Sequence, residues 1–318
     1  MIRILKKVIY VLMKLAGLTP QIVEVEPGTK LHFWVPTETI NKTNGGQNEP
    51  IPPRKPVVVL IHGFAEDGAI TWIPQVFALA GKYAVYVPDL LFFGGSISDK
   101  ANWTIEFQAQ CVARSLEKLG VEKCTLVGFS YGGFVSVKIA ESKPELVQDL
   151  VLSGSIPPVD ETTSRGLLER LGYESWSEVV LPTNVKEMKR SFVVVCHRRP
   201  PMPRLIYRQY LKTMFNNREQ KAELLHAIAI KDSDHRRPKI SQKVHFLAGE
   251  EDKIFRPEDI YNAIKRYSKP FTSSTYLDDR RIEDAQFSNG KSSLANFWWL
   301  FVGIVRIVRS ILKLMSPT

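Results

Sequence analysis

Ser130 stands in the string Gly128-Phe129-Ser130-Tyr131-Gly132, directly after the apolar run Cys124 to Val127 and directly before a helical stretch. That is the strand, sharp turn and helix context of a nucleophile elbow. Gly128 and Gly132 let the backbone turn tightly and leave the serine exposed at the carboxyl end of the strand, where α/β sheets place their ligands. A serine hydroxyl is a weak nucleophile until a base accepts its proton, and the oxyanion it creates needs preorganised N–H donors. Ser130 therefore sets a requirement for an imidazole, a carboxylate to orient it and two backbone donors.

Other residues have a chemistry to be weighed. His62 and Gly63 follow the apolar run Val57 to Ile61, and the same loop, Gly63 to Gly68, has the glycine spacing of a phosphate loop. Ala69 and Ile70 stand where Lys and Ser/Thr would be required, so phosphate binding fails there. Asp89 closes another apolar run and is expected to fix the loop after it. The three cysteines, Cys111, Cys124 and Cys196, are too scattered for a disulfide framework or a metal site. No metal or organic cofactor is expected, and cysteine usage points to an intracellular, reducing compartment.

The elements that must position these residues alternate. Strands are expected at 31–36, 57–63, 84–90, 124–130, 149–155 and 244–249, several as continuous apolar runs suited to burial on both faces of a parallel sheet. Helical periodicity fills stretches such as 104–120 and 133–142. The fold class is α/β, a mostly parallel doubly wound sheet. Residues 37–56, rich in Gly, Asn and Pro, read as an exposed loop. Residues 156–240 are too long for a single crossover and read as a helical cap inserted before the penultimate strand. The expected division is an N-terminal helix at 1–20, a core at 21–155 and 241–280, the cap, and an atypical hydrophobic and basic tail at 281–318.

The strings "LIHGF", "PDLLFFGGS", "LVGFSYGG", the insertion with "HRRPP", and "LAGEEDKIF" together resemble the α/β-hydrolase fold. The likeness is to plant members related to bacterial meta-cleavage-product hydrolases and monoacylglycerol lipases, and it covers roughly residues 21 to 265. It implies that Phe64 and Tyr131 supply the oxyanion N–H groups, that His62 is structural, and that Asp252 is the acid. It also implies a base histidine 25 to 35 residues after the acid. The six histidines, His32, His62, His197, His226, His235 and His245, all precede Asp252. No base histidine is identified, and "TSSTYL" at 272–277 is the one piece of the expected ending that reads as a final strand. The tail is expected to come from splicing or a mistaken join to a hydrolase body. The expected activity is an impaired serine hydrolase acting on an ester or C–C bond of a small lipophilic substrate, the alternative being a ligand-binding homologue without turnover.

The net charge of +10 is concentrated at the ends. Arg3, Lys6, Lys7 and Lys14 near one end, and Lys291, Arg306, Arg309 and Lys313 near the other, face no acid within residues 1–20 or 291–318. The body between is left with +2, which argues against a nucleic-acid partner. On a helical wheel the first four cations share one sector and Ile4, Leu5, Val8, Leu12 and Leu15 lie on the other side, the pattern of a helix for an anionic membrane surface. The apolar run 297–305 is about half the length of a spanning helix and is expected to lie in the interface.

Overall fold

The computed structural model describes residues 2–42, 48–196, 202–230, 239–249, 251–264 and 274–277. The chain enters as helix α1 (Ile2–Leu15) and turns at Gly17 into the antiparallel pair β1 (Leu18–Glu26) and β2 (Thr29–Pro36). After a short pair, β3 (Ile40–Lys42) with β4 (Asn48–Pro50), comes the central unit. It comprises β5 (Val57–Ile61), α2 (Gly68–Leu79), β6 (Ala84–Pro88), β7 (Ile97–Ser98), α3 (Ile105–Lys118), β8 (Cys124–Phe129), α4 (Tyr131–Ser142) and β9 (Val147–Ser153). The insertion holds β10 (Val159–Asp160), α5 (Glu161–Leu171), α6 (Trp176–Val180), α7 (Val185–Val195), α8 (Arg204–Met214), α9 (Arg218–His226) and β11 (Ala229–Ile230). Strand β12 (Lys243–Gly249), helix α10 (Pro257–Ile264) and strand β13 (Ser274–Leu277) follow.

The main sheet runs β1-β2-β6-β5-β8-β9-β12-β13, with β7 paired to the start of β2. From β6 to β13 every neighbour is parallel, while β1 and β2 form an antiparallel edge. Strand β5 explains the two-sided burial. Val57, Val59 and Ile61 point into a core shared with α3 and α4, and Val58 and Leu60 into one shared with α1 and α2. A run with no polar position suits a strand covered on both faces.

Three expectations change. The core begins at Leu18 rather than at 21, because the N-terminal helix ends at Leu15 and β1 follows at once. Residues 37–56 are not all loop: a 3-10 turn at Thr37–Thr39 and the β3–β4 pair lie within them, and Ile40 packs against the core. Backbone pairing needs no apolar side chains, so polar composition hid it. The N-terminal helix also carries a second apolar side, besides the one expected to face outward. Ile2, Ile9 and Met13 are buried, the last two with Trp34 and Trp72 against the sheet. The tail expected at 281–318 lies outside the described residues, and 274–277 does pair, parallel to β12.

The insertion has an apolar centre in which Met188 and Phe192 of α7 meet Ile206, Tyr207, Tyr210 and Met214 of α8, together with Ile2 of α1.

Candidate active site

Strand β8 ends in Phe129, and the chain reverses at Ser130 with φ 51° and ψ −120° before α4 begins at Tyr131. A positive φ is strained for any residue with a Cβ, and such strain is characteristic of functional turns. It is held from both sides. Ser130 N–H donates to Ser153 O on β9 at 2.9 Å, and Ser130 O accepts from Gly133 N at 2.8 Å. The flanking glycines are close approaches: a Cβ on Gly128 would meet Gly132 O at 2.6 Å, and one on Gly132 would meet His62 O at 2.5 Å. Helix α4 can therefore start directly against β5 and β8.

The loop after β5 passes beside the serine, since a Cβ on Gly63 would lie 3.2 Å from Ser130 Cβ. The Phe64 ring packs edge-on against Tyr131, with centroids 5.6 Å apart, which brings together the two residues expected to supply oxyanion donors. Tyr131 opens α4, and N–H groups of a first helical turn have no intrahelical acceptor. His62 is buried with both ring nitrogens bonded. Its Nδ1 donates to Gly63 O at 2.6 Å and its Nε2 accepts from Leu90 N at 2.9 Å. Burial lowers its pKa despite the nearby Asp89, so the ring is neutral with both nitrogens engaged and has no capacity left for the proton of Ser130.

Asp89 secures this loop to its neighbours. Oδ1 accepts from Gly68 N at 2.9 Å, while Oδ2 accepts from Gly95 N and from His32 Nδ1, both at 2.9 Å. Burial opposes the charge, yet His32 and the surrounding donors hold the carboxyl below the ordinary value. It ties the start of α2 to the loop after β6 and to β2.

Asp252 lies in the turn after β12. Its Oδ1 accepts from Ile254 N and Phe255 N, each at 2.9 Å. Oδ2 faces the serine side of the sheet, 3.8 Å from where a Cβ on Gly154 would stand, and Gly154 follows the Ser153 carbonyl that holds Ser130. Burial raises this carboxyl, with the two loop N–H groups working the other way. Ser130 and Asp252 thus project from the same end of the sheet, on β8 and β12 with β9 between.

A histidine between them is not found among the described residues. His245 pairs with Val151, which pairs with Val127, so it sits at the level of a residue three before Ser130. At ~3.3 Å per residue and ~4.8 Å per strand, it is about 10 Å down the sheet and about 10 Å across it. His32 is committed to Asp89, and His226 is exposed at the end of α9. His197 and His235 lie outside the described residues.

The contacts that join the insertion to this end of the sheet were not expected from the sequence. Tyr210 Oη of α8 donates to Glu66 at 2.5 Å, two residues beyond Phe64. Arg170 of α5 is paired with Asp259 at 2.7 Å and donates to Ile254 O, beside Asp252. Lys221 of α9 is buried, donates to Met214 O and lies 4.5 Å above the Phe93 ring. Asp67, the N-cap of α2, had a local signal. The Arg170–Asp259 and Tyr210–Glu66 pairs bridge 89 and 144 residues and leave no trace in spacing.

The elbow, the loop beside it and the strand order define an α/β hydrolase. The model of the α/β hydrolase fold family matches residues 56–285, and the chain belongs to that family. It is 37% identical over 103 residues to the pimeloyl-[acyl-carrier protein] methyl ester esterase of Aeromonas hydrophila, covering 32% of this chain and 39% of the esterase. The chain spans well under half the length of the curated relatives it matches, from 28% to 45%. Among solved structures, a bacterial membrane phospholipase A superposes with a TM-score of 0.65 at 23% identity, over 86% of this chain and 83% of that one. The 2-hydroxy-6-oxo-6-phenylhexa-2,4-dienoate hydrolase of Rhodococcus sp. strain RHA1 superposes with a TM-score of 0.60 at 18% identity, over 82% and 89%. At these identities the likeness is one of fold.

Proposed function

We propose that this chain is a serine hydrolase in architecture whose turnover is impaired for want of a base. Its substrate class is a carboxylic ester, or an activated C–C bond, of a small lipophilic molecule. The observation that carries the reading is the strained Ser130 held against the Gly63–Phe64 loop, with Asp252 at the same sheet end. Ser130 Oγ would add to the carbonyl carbon, Phe64 and Tyr131 N–H groups would take the oxyanion, and Asp252 would support an imidazole. Within these 318 residues no histidine follows Asp252, and among the described residues no histidine stands ready to take the Ser130 proton, which leaves water. In a serine protease, losing that histidine costs about 10⁶ in kcat while donors and binding retain about 10³ to 10⁴ over water.

Hydrolysis of p-nitrophenyl butyrate by the 318-residue protein beside Ser130→Ala tests this. The expected rates are low and within about an order of magnitude of each other. Turnover far above the variant would remove the impairment from the reading. The second reading, a ligand-binding homologue, is favoured by the engagement of both His62 nitrogens. A fluorophosphonate separates the two: labelling of Ser130 requires an activated hydroxyl, and a pure binder shows none.

A further inference from the structure

Helix α1 has two apolar faces, only one of which is covered by the described residues. Ile2, Ile9 and Met13 are buried: Ile2 among Met188, Phe192 and Ile206 of the cap, Ile9 and Met13 against the body. On the outer side Ile4, Val8, Val11 and Leu15 are 65%, 48%, 56% and 73% exposed. Their spacing keeps them within a sector of about 60°. Scattered exposed apolar residues mean little, but four in one stripe imply an occupant.

The charge around the stripe selects that occupant. Lys7 and Lys14 border it and are exposed, and α1 contains no acid. Helix α8, whose Gln209 accepts from Ile2 N at 3.2 Å, exposes Leu205 with Arg204, Arg208 and Lys212 and likewise contains no acid. A second copy of the chain on this face would oppose cation to cation. So would the chain's own apolar run 297–305, which is followed by Arg306, Arg309 and Lys313. An anionic bilayer satisfies both features at once, taking the four apolar side chains below its headgroups and the cations among its phosphates and carboxylates.

We propose that the outer face of α1, with the adjoining basic face of α8, is a docking surface for an anionic membrane. Adsorption there sets the cap against the lipid, because α1 rests on both the body and α8.

Co-sedimentation of the full chain with vesicles of phosphatidylcholine and phosphatidylserine, and with phosphatidylcholine alone, reads the proposal. Binding is expected on the mixed vesicles and at least about tenfold less on the neutral ones. The fourfold variant Ile4→Ser, Val8→Ser, Val11→Ser and Leu15→Ser should lower partitioning onto mixed vesicles at least about tenfold, and Lys7→Glu with Lys14→Glu by a similar factor. These side chains point away from the core, so the thermal midpoints should match the parent. Unchanged partitioning in both variants, or equal binding to the two vesicle types, overturns the proposal. So does light scattering that finds a dimer split by the fourfold variant in a protein that ignores vesicles.

Discussion

Ser130 is the residue whose geometry costs the fold most directly. Its φ of 51° with a ψ of −120° is a conformation that glycine adopts freely and serine does not. The strain is held by the Ser153 and Gly133 hydrogen bonds and by a helix that starts against β5. A conformation so constrained serves to expose one hydroxyl at the sheet end. Ser130→Gly should therefore raise stability by about 1 kcal/mol, the relief of strain exceeding the added freedom of the unfolded glycine. Denaturant unfolding checks it: the midpoint should rise with an unchanged slope. Most single substitutions destabilise, so a gain would mark this position as strained for function.

The elements that hold the site are joined by a few side-chain contacts between cap and core, and one of them titrates near neutrality. Glu66 follows the Phe64 loop and receives the Tyr210 hydroxyl of α8. Burial pushes its carboxyl up to about 7 from an ordinary 4.5, more than the Tyr210 hydrogen bond lowers it. The folded state thus favours the neutral acid. Its contribution is fully present below the ordinary value and is lost as pH rises through about 7, where the charged form must be accommodated under the cap. The melting temperature should fall between pH of about 5 and about 8 by the equivalent of about 1–3 kcal/mol, and Glu66→Gln should flatten that slope. How much was legible in the sequence follows the same division. The parallel strands could be read because Val57 to Ile61 and Cys124 to Val127 have no polar position, and the elbow because glycine and serine spacing is local. The β3–β4 pair was hidden by polar side chains whose backbones pair regardless. Glu66 with Tyr210, and Arg170 with Asp259, could not be read, since each needs the fold before its partners are neighbours.

At the scale of the whole molecule, the sheet brings Ser130, the Phe64 loop and Asp252 to one end, and among the described residues no imidazole stands between Ser130 and Asp252. Strand β13 pairs in parallel with β12, and Leu277 stands opposite Gly249, the last residue before the Asp252 turn. Leu277 is therefore at the acid's end of the sheet, where the resemblance calls for the base. The residues that follow begin Asp278-Asp279-Arg280-Arg281, and no histidine occurs from there to Thr318. If the rest of the site is competent, a histidine delivered from this point should restore it. A chimera that keeps residues 1–277 and continues with the histidine loop and closing helix of a catalytically active family member should raise kcat on p-nitrophenyl butyrate by at least about 10³ over the parent, a conservative part of what a triad histidine supplies. The rise should vanish in the same chimera carrying Ser130→Ala. A folded chimera with parental rates would locate the defect in the elbow or the Phe64 loop instead, and the chain would then be a hydrolase body adapted to holding its ligand.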